Sequence, residues 1–181
     1  ITRGLVVDQE NGQAFAQSGF PDAVTAEGFW KYCQGLEAVV DGHHRTEDDL
    51  YFPFLRDRLP EVDFDRLVAE HHTMEGLLAE MKAAQEAGSV VDLAAAVAKM
   101  NAIWQPHIGR EERWFSPEVA AQVMTVPEYI DMAQKGAAHS QEYMQPPPVA
   151  IPFFLYNLEA DDRAFFLAAM PPEVTQNLVP V

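Results

Sequence analysis

The chain of 181 residues contains one cysteine, Cys33. One thiol cannot close an internal disulfide, so a disulfide scaffold and a cysteine-based zinc site are both excluded, and a reducing compartment is the simplest setting. Positive charge is also scarce: 12 Lys and Arg stand against 28 Asp and Glu, a formal net charge of -16. Such a surface repels phosphate backbones and anionic lipid, which argues against nucleic-acid and membrane partners and leaves cations as natural ligands. No apolar run approaches the roughly 18 residues that cross a bilayer, and there is no basic-then-apolar leader, so a cytoplasmic location is the default expectation. The chain opens at Ile1 without a methionine and stops on Leu178-Val179-Pro180-Val181, so both ends look trimmed. Gly-rich phosphate loops, internal repeats and strand-like alternation are missing as well.

What is present is helical patterning over an apolar content of 48%, enough for one domain with a sizeable core. Residues 1 to about 17 read as the end of a first helix. A second runs over roughly 25–58, with Thr25 as its expected N-cap and a bend or stop near Pro53. Asp63 caps a third that ends at Gly88, and a fourth starts near Ser89 or Asp92 and reaches Pro117. Short linkers make neighbours antiparallel, so the expectation is an all-α, up-down-up-down four-helix bundle over residues 1–120. Residues 121–181 form a C-terminal extension packed on the bundle. It holds a helix near 127–143, an extended Gln145-Pro146-Pro147-Pro148 connection, and a short helix near 160–169.

Five of the six histidines fall in three places, each followed four residues later by a glutamate: His43 and Glu47, His71 and Glu75, His107 and Glu111. On a helix, positions four apart share a face, so each pair can chelate one site. Apolar periodicity selects His43 over His44, through the stripe Leu36, Val40, His43, Glu47, Leu50, Phe54. It selects His71 over His72, through Phe64, Leu67, His71, Glu75 and Leu78. The fourth helix gives Leu93, Val97, Met100, Trp104, His107, Glu111, Trp114. Three carboxylates in one core, with no Lys or Arg on those stripes except near their ends, call for a multivalent cation, because an ionised group loses several kcal/mol of hydration when buried. Three imidazoles and three carboxylates exceed one ion's needs, so two ions are expected.

Other residues read more plainly. Cys33 is a thiol on a helix, His139 a surface or tail-contact residue, and Tyr32 and Tyr51 packing residues. Trp104 and Trp114 keep water from the stripe they flank. Asp48-Asp49 is a solvated face, Asp161-Asp162 a helix start, and Phe153, Phe154, Tyr156, Phe165 and Phe166 core packing.

The segment His43-His44-Arg45-Thr46-Glu47-Asp48-Asp49-Leu50-Tyr51-Phe52-Pro53 resembles the H-H-x-x-E-E-x-x-x-F-P signature of the hemerythrin-like (HHE) family. Glu70-His71-His72-Thr73-Met74-Glu75 resembles its second element, and His107-Ile108-Gly109-Arg110-Glu111-Glu112-Arg113-Trp114-Phe115-Ser116-Pro117 its third. The tail, with Asp162-Arg163, Met170-Pro171 and Leu178-Val179-Pro180, is similar to an extended, fungal-type branch. This resemblance implies a non-haem di-iron site in a four-helix bundle, with one further histidine from the first helix. No histidine precedes His43, so that ligand is expected just upstream of Ile1, or one metal has an open position. Oxygen carriers of the family have H-x-x-x-H on the third helix, where this chain has Glu75. An extra carboxylate stabilises oxidised metal, disfavours reversible O2 release and admits manganese or mixed occupancy.

The resulting expectation is an oxidase or oxygenase with two iron ions bridged by Glu47 and Glu111, with His43, His71, His107 and Glu75 as terminal ligands. It would take O2 and a small organic molecule. The alternatives are a protein that binds or senses O2, nitric oxide or iron without turnover, and a structural bundle holding zinc or no metal.

Overall fold

A computed structural model describes residues 1–170 together with Pro172 and Thr175, so the readings that rest on Pro171 and Leu178-Val179-Pro180 lie outside the described residues. Four long helices carry the fold: α1 (Thr2–Ser18), α2 (Ala23–Thr46), α4 (Phe64–Glu86) and α5 (Val90–Trp114). Between α2 and α4 lie a π-helical turn (Glu47–Tyr51) and the short α3 (Phe52–Leu55). After α5 come α6 (Pro117–Val123), α7 (Val126–Tyr143), α8 (Pro147–Tyr156) and α9 (Ala160–Ala169).

Local chemistry sets the boundaries. The Thr25 N–H donates to Asp22 Oδ1 at 2.7 Å, so Asp22 caps α2 and Thr25 lies inside it. Asp63 and Ser89 cap α4 and α5, accepting from the backbone N–H groups of Arg66 and Asp92. Proline is tolerated in a first helical turn, where its missing N–H has no partner to lose. That is why Pro117, just beyond the end of α5 at Trp114, opens α6, and why Pro147 and Pro148 begin α8 instead of lying in an extended connection.

The bundle closes with α1 on α5, α5 on α4, and α2 against both α4 and α1. Two apolar clusters form its interior. One gathers Leu36, Val40, Met74, Met81, Leu93, Val97, Met100 and Trp104, and the other gathers Phe52, Leu55, Leu59, Phe64 and Leu67. Along α2, α4 and α5 the chain passes from one cluster to the other through His43–Glu47, His71 and His107–Glu111. A polar layer therefore sits between two dry ones.

The extension covers the outer side of α2, which packs against both α7 and α8. Phe153 of α8 is the wedge: its ring lies against Gly4 of α1 and its Cβ against Gly35 of α2. A Cβ built on Gly35 would also fall 3.1 Å from the Val149 carbonyl oxygen, so only glycine lets α8 approach this closely. Tyr32 closes the contact, its hydroxyl 3.0 Å from Asn157 Oδ1 and its ring edge-on to Phe153. Gly35→Val is expected to cost about 1–3 kcal/mol through overpacking against α8. Urea unfolding tests this, and an unchanged midpoint would show that the close approach is not required.

Candidate metal centre

The π turn decides how α2 meets the centre. The Phe52 N–H bonds the Glu47 carbonyl, five residues back, just before Pro53, whose ring excludes an ordinary bond to the Asp49 carbonyl. The wide turn slips the register, so the inward residues after Glu47 are Phe52 and Leu55 rather than Leu50 and Phe54. Upstream, both histidines of the first doublet reach the centre. His44 is 5% exposed and His43 is half-buried, because α2 is covered on two sides and its buried arc is too wide to exclude either.

Two groups of donors lie side by side. The ligand atoms of His44, His71 and His107 fall within 4.8 Å of one another, as do those of His43, Glu47 and Glu111. The groups interlock: His71 Nε2 is 3.1 Å from His107 Nε2 and 3.6 Å from carboxylate oxygens of both Glu47 and Glu111. His43 Nε2 is 3.2 Å from Glu47 Oε2 and 3.9 Å from Glu111 Oε2, and His107 Nε2 is 3.0 Å from Glu111 Oε1.

Glu75 does not join them. It is 62% exposed, 3.9 Å from the Arg45 guanidinium and 3.7 Å from His72 Nδ1. Each helical residue advances about 100°, and on α4 the inward position after His71 is taken by fully buried Met74. The expectation that Glu75 supplies a third core carboxylate is corrected by this placement, and the expectation that His44 faces away is corrected by its burial. His72 is exposed, as its face suggests.

The outer nitrogens of two rings are held by carboxylates. His71 Nδ1–H donates to Asp48 Oδ1 at 2.8 Å, and His107 Nδ1–H donates to Glu70 Oε2 at 3.0 Å. Burial alone would raise Glu70, but hydrogen bonds from Arg110, His107 and Arg66 hold it down at about 2, so it stays ionised. Such carboxylates fix the tautomer and aim Nε2 inward, the arrangement that surrounds metal-bound histidines. Asp48 is therefore part of the centre rather than a solvated face. Its neighbour Asp49 accepts from His139 Nε2 at 3.0 Å, and His139 Nδ1 lies 3.2 Å from Thr46 Oγ1, tying α7 to the π turn.

Without a cation, protons have to balance the charges of this layer. Burial and the nearby charge of Glu111 push Glu47 well above the usual carboxylate range. Burial would raise Glu111 too, but the adjacent His107 and His71 outweigh it and pull Glu111 down to about 2. Burial lowers His43 to about 4 and drives His44 lower still, so both are neutral imidazoles. For His71, burial is outweighed by Asp48 and Glu111, and its affinity for a proton rises. With both Nδ1 groups donating outward, the His71 and His107 Nε2 atoms can share a hydrogen bond only if one ring is an imidazolium. A proton then stands where a cation would. His43 Nε2, both His44 nitrogens, Glu47 Oε2 and both Glu111 oxygens are buried and have no hydrogen-bond partner among the described residues. Orphaned donors of these types, converging on one point, suit a first-row divalent cation.

Trp104, 1% exposed, lies beside the His43 and His107 rings, and Phe52 stacks on His71, excluding water from one side. Two cavities reach the centre. A polar recess of about 250 Å3 touches His44 and His71, with Asp48, His72 and Glu75 in its walls. A mostly apolar cavity of about 300 Å3 touches Glu47 and extends toward α6 and α7.

Fold and centre define a helical bundle with a buried histidine–carboxylate cation site. A family model described as the hemerythrin HHE cation binding domain matches residues 8–119, and the chain belongs to that family. No curated protein and no solved structure matches the chain. Among the described residues, no helix is long and apolar enough to cross a membrane.

His44→Ala is expected to lower iron stoichiometry or affinity by at least about tenfold, the effect of losing one donor, whereas Glu75→Ala leaves both unchanged. Metal analysis with a competing chelator decides this, and the opposite pattern would restore Glu75 to the centre. Loading also requires Glu47 to ionise and His71 Nε2 to give up its proton. Because both hold protons more tightly than usual in the folded protein, metal uptake at neutral pH should release at least one proton, and affinity should rise with pH. Calorimetry in buffers of different ionisation enthalpy measures the release; none at pH 7 would contradict the assignment.

Proposed function

We propose that this chain holds a pair of iron ions, one near His44, His71 and His107 and the other near His43, Glu47 and Glu111, and activates O2 there to oxidise a small organic substrate. The observation that carries the metal pair is the set of buried, unpartnered nitrogens and oxygens in two adjacent groups, flanked by Asp48 and Glu70 on the outer ring nitrogens. Nitrogen donors with two carboxylates suit iron and also admit manganese or mixed occupancy. Bound iron supplies the one-electron steps that O2 reduction needs.

The chain's own residues do the rest. Asp48 and Glu70 keep the His71 and His107 rings oriented, and Trp104 and Phe52 keep bulk water away, which strengthens every electrostatic interaction inside. With Glu75 at the surface, the core has two carboxylates rather than three, and charge alone no longer favours oxidation over reversible binding. Support for oxidation comes from the apolar cavity at Glu47, which gives an organic molecule a route to the centre.

A second reading is O2, nitric oxide or iron binding or sensing without turnover. The nearly complete burial of His107 and Glu111 favours it. Reduced protein loaded with about two equivalents of iron separates the two. Consumption of O2 that vacuum does not reverse is the expected result. Release of O2 with the starting spectrum restored would establish the binding reading and remove the oxidase one.

A further inference from the structure

The apolar cavity is bounded by the π turn, α3, the end of α5, α6 and α7. Glu47, a residue of the candidate metal centre, lies in its wall, so the cavity adjoins that centre. The other walls include Phe52, Leu55, Trp114, Val123 and Met132, with no Lys or Arg among the lining residues. α7 supplies Tyr129, Met132 and Ala133 at helical spacing, and one turn on Gly136 lets the Tyr51 phenol lie directly against the helix backbone. Among the described residues of the lining, Tyr51 and Tyr129 are the hydroxyl-bearing side chains.

Four features limit what fits. The volume of about 300 Å3 is at the low end of small-molecule pockets, about 300–1,000 Å3. Apolar walls desolvate whatever enters, so a charged or heavily hydroxylated molecule loses hydration without compensation. The lack of a cationic side chain among the described lining residues and the net charge of -16 both oppose anions. The aromatic walls Phe52, Phe54, Trp114 and Phe115 suit a flat ring.

Resting on the metal-centre reading above, we infer that this cavity is the substrate pocket and takes a neutral, apolar molecule the size of a single aromatic ring, with Tyr51 or Tyr129 satisfying at most one or two polar groups. Its inner end at Glu47 sets which atoms of the substrate face the metals, and residues 120–133 set its size and shape. The polar recess at His44 and His71 is not the organic site.

The test uses the full chain, metal-free and iron-loaded, with p-cresol as the neutral probe and p-hydroxybenzoate as its anionic counterpart. Calorimetry should show saturable p-cresol binding in both forms, at least about tenfold tighter than p-hydroxybenzoate. The visible absorption of the iron-loaded protein should shift as p-cresol binds. Two variants fill the cavity from different walls, Ala133→Trp at its rim and Ala120→Phe on α6. Each should weaken p-cresol at least about tenfold without lowering the melting temperature or the iron content. If one fails to fold, the other carries the comparison, and the probe pair gives an independent answer on the unmodified chain. No saturable p-cresol binding, equal affinity for the anion, filled variants that bind as the parent does, or binding that leaves the iron spectrum unchanged would each overturn the pocket. If the chain takes up no iron while metal-free protein binds p-cresol, the metal reading fails and the pocket stands; normal iron uptake without p-cresol binding gives the reverse.

Discussion

The constraint on which everything else depends is the burial of two carboxylates, Glu47 and Glu111, among four imidazoles in a layer without Lys or Arg. Taking one ionised carboxylate out of water costs several kcal/mol, and two beside each other cost more unless positive charge lies between them. Among the described residues, no Lys or Arg pairs with either carboxylate, so only a protonated imidazole or a bound cation can supply it there. Protons relieve part of the imbalance, raising Glu47 and His71, but they leave nitrogen and oxygen atoms unpartnered. The two apolar clusters on either side make that debt unavoidable, since they exclude the water that would otherwise screen it. Stability and cation binding are thus coupled through one layer.

The layer is positioned by backbone devices as much as by packing. Pro53 forces the wide turn, the wide turn rotates Phe52 and Leu55 inward after Glu47, and Tyr51 emerges where α7 can meet it. His139, bridging Thr46 and Asp49, holds that turn from outside. Asp48 does the same from inside through His71. Three consecutive acidic residues, Glu47, Asp48 and Asp49, consequently have three different neighbours: the centre, a ring nitrogen of the centre, and a helix of the extension.

Much of this was legible in the sequence. The helical class, the four long segments and the cap residue Asp63 follow from spacing and chemistry, the start of α5 falls at Ser89, one of its two candidates, and α5 shows the periodic face from Leu93 to Glu111 that its residues suggest, because one side of it faces solvent. α2 resisted the same treatment. Covered on both sides, it buries Gly35, Leu36, Ala38, Val39 and Val40 almost without interruption, and a period cannot be read from an arc that wide. The π turn then breaks the count, and no periodic template allows for it. On α4, Met74 and Glu75 are adjacent candidates for one inward position, and the apolar residue took it, as the cost of burying charge would favour. Asp48 and Glu70 carried a usable signal: each adjoins an expected ligand. Their hydrogen bonds to His71 and His107 depend on pairs of helices, which a single chain's spacing does not express. Pro147 begins a helix where the run of prolines suggests an extended connection.

Phe153, seated against Gly4 and Gly35, ties the last third of the chain to the first. The matched span of residues 8–119 begins after Gly4 and ends before Phe153. A piece of chain cut at those limits would leave the covered side of α2 bare, with apolar and glycine surface facing water along the helix that also presents His43 and His44. The length of chain that marks kinship and the length that closes a core are therefore not the same in this protein.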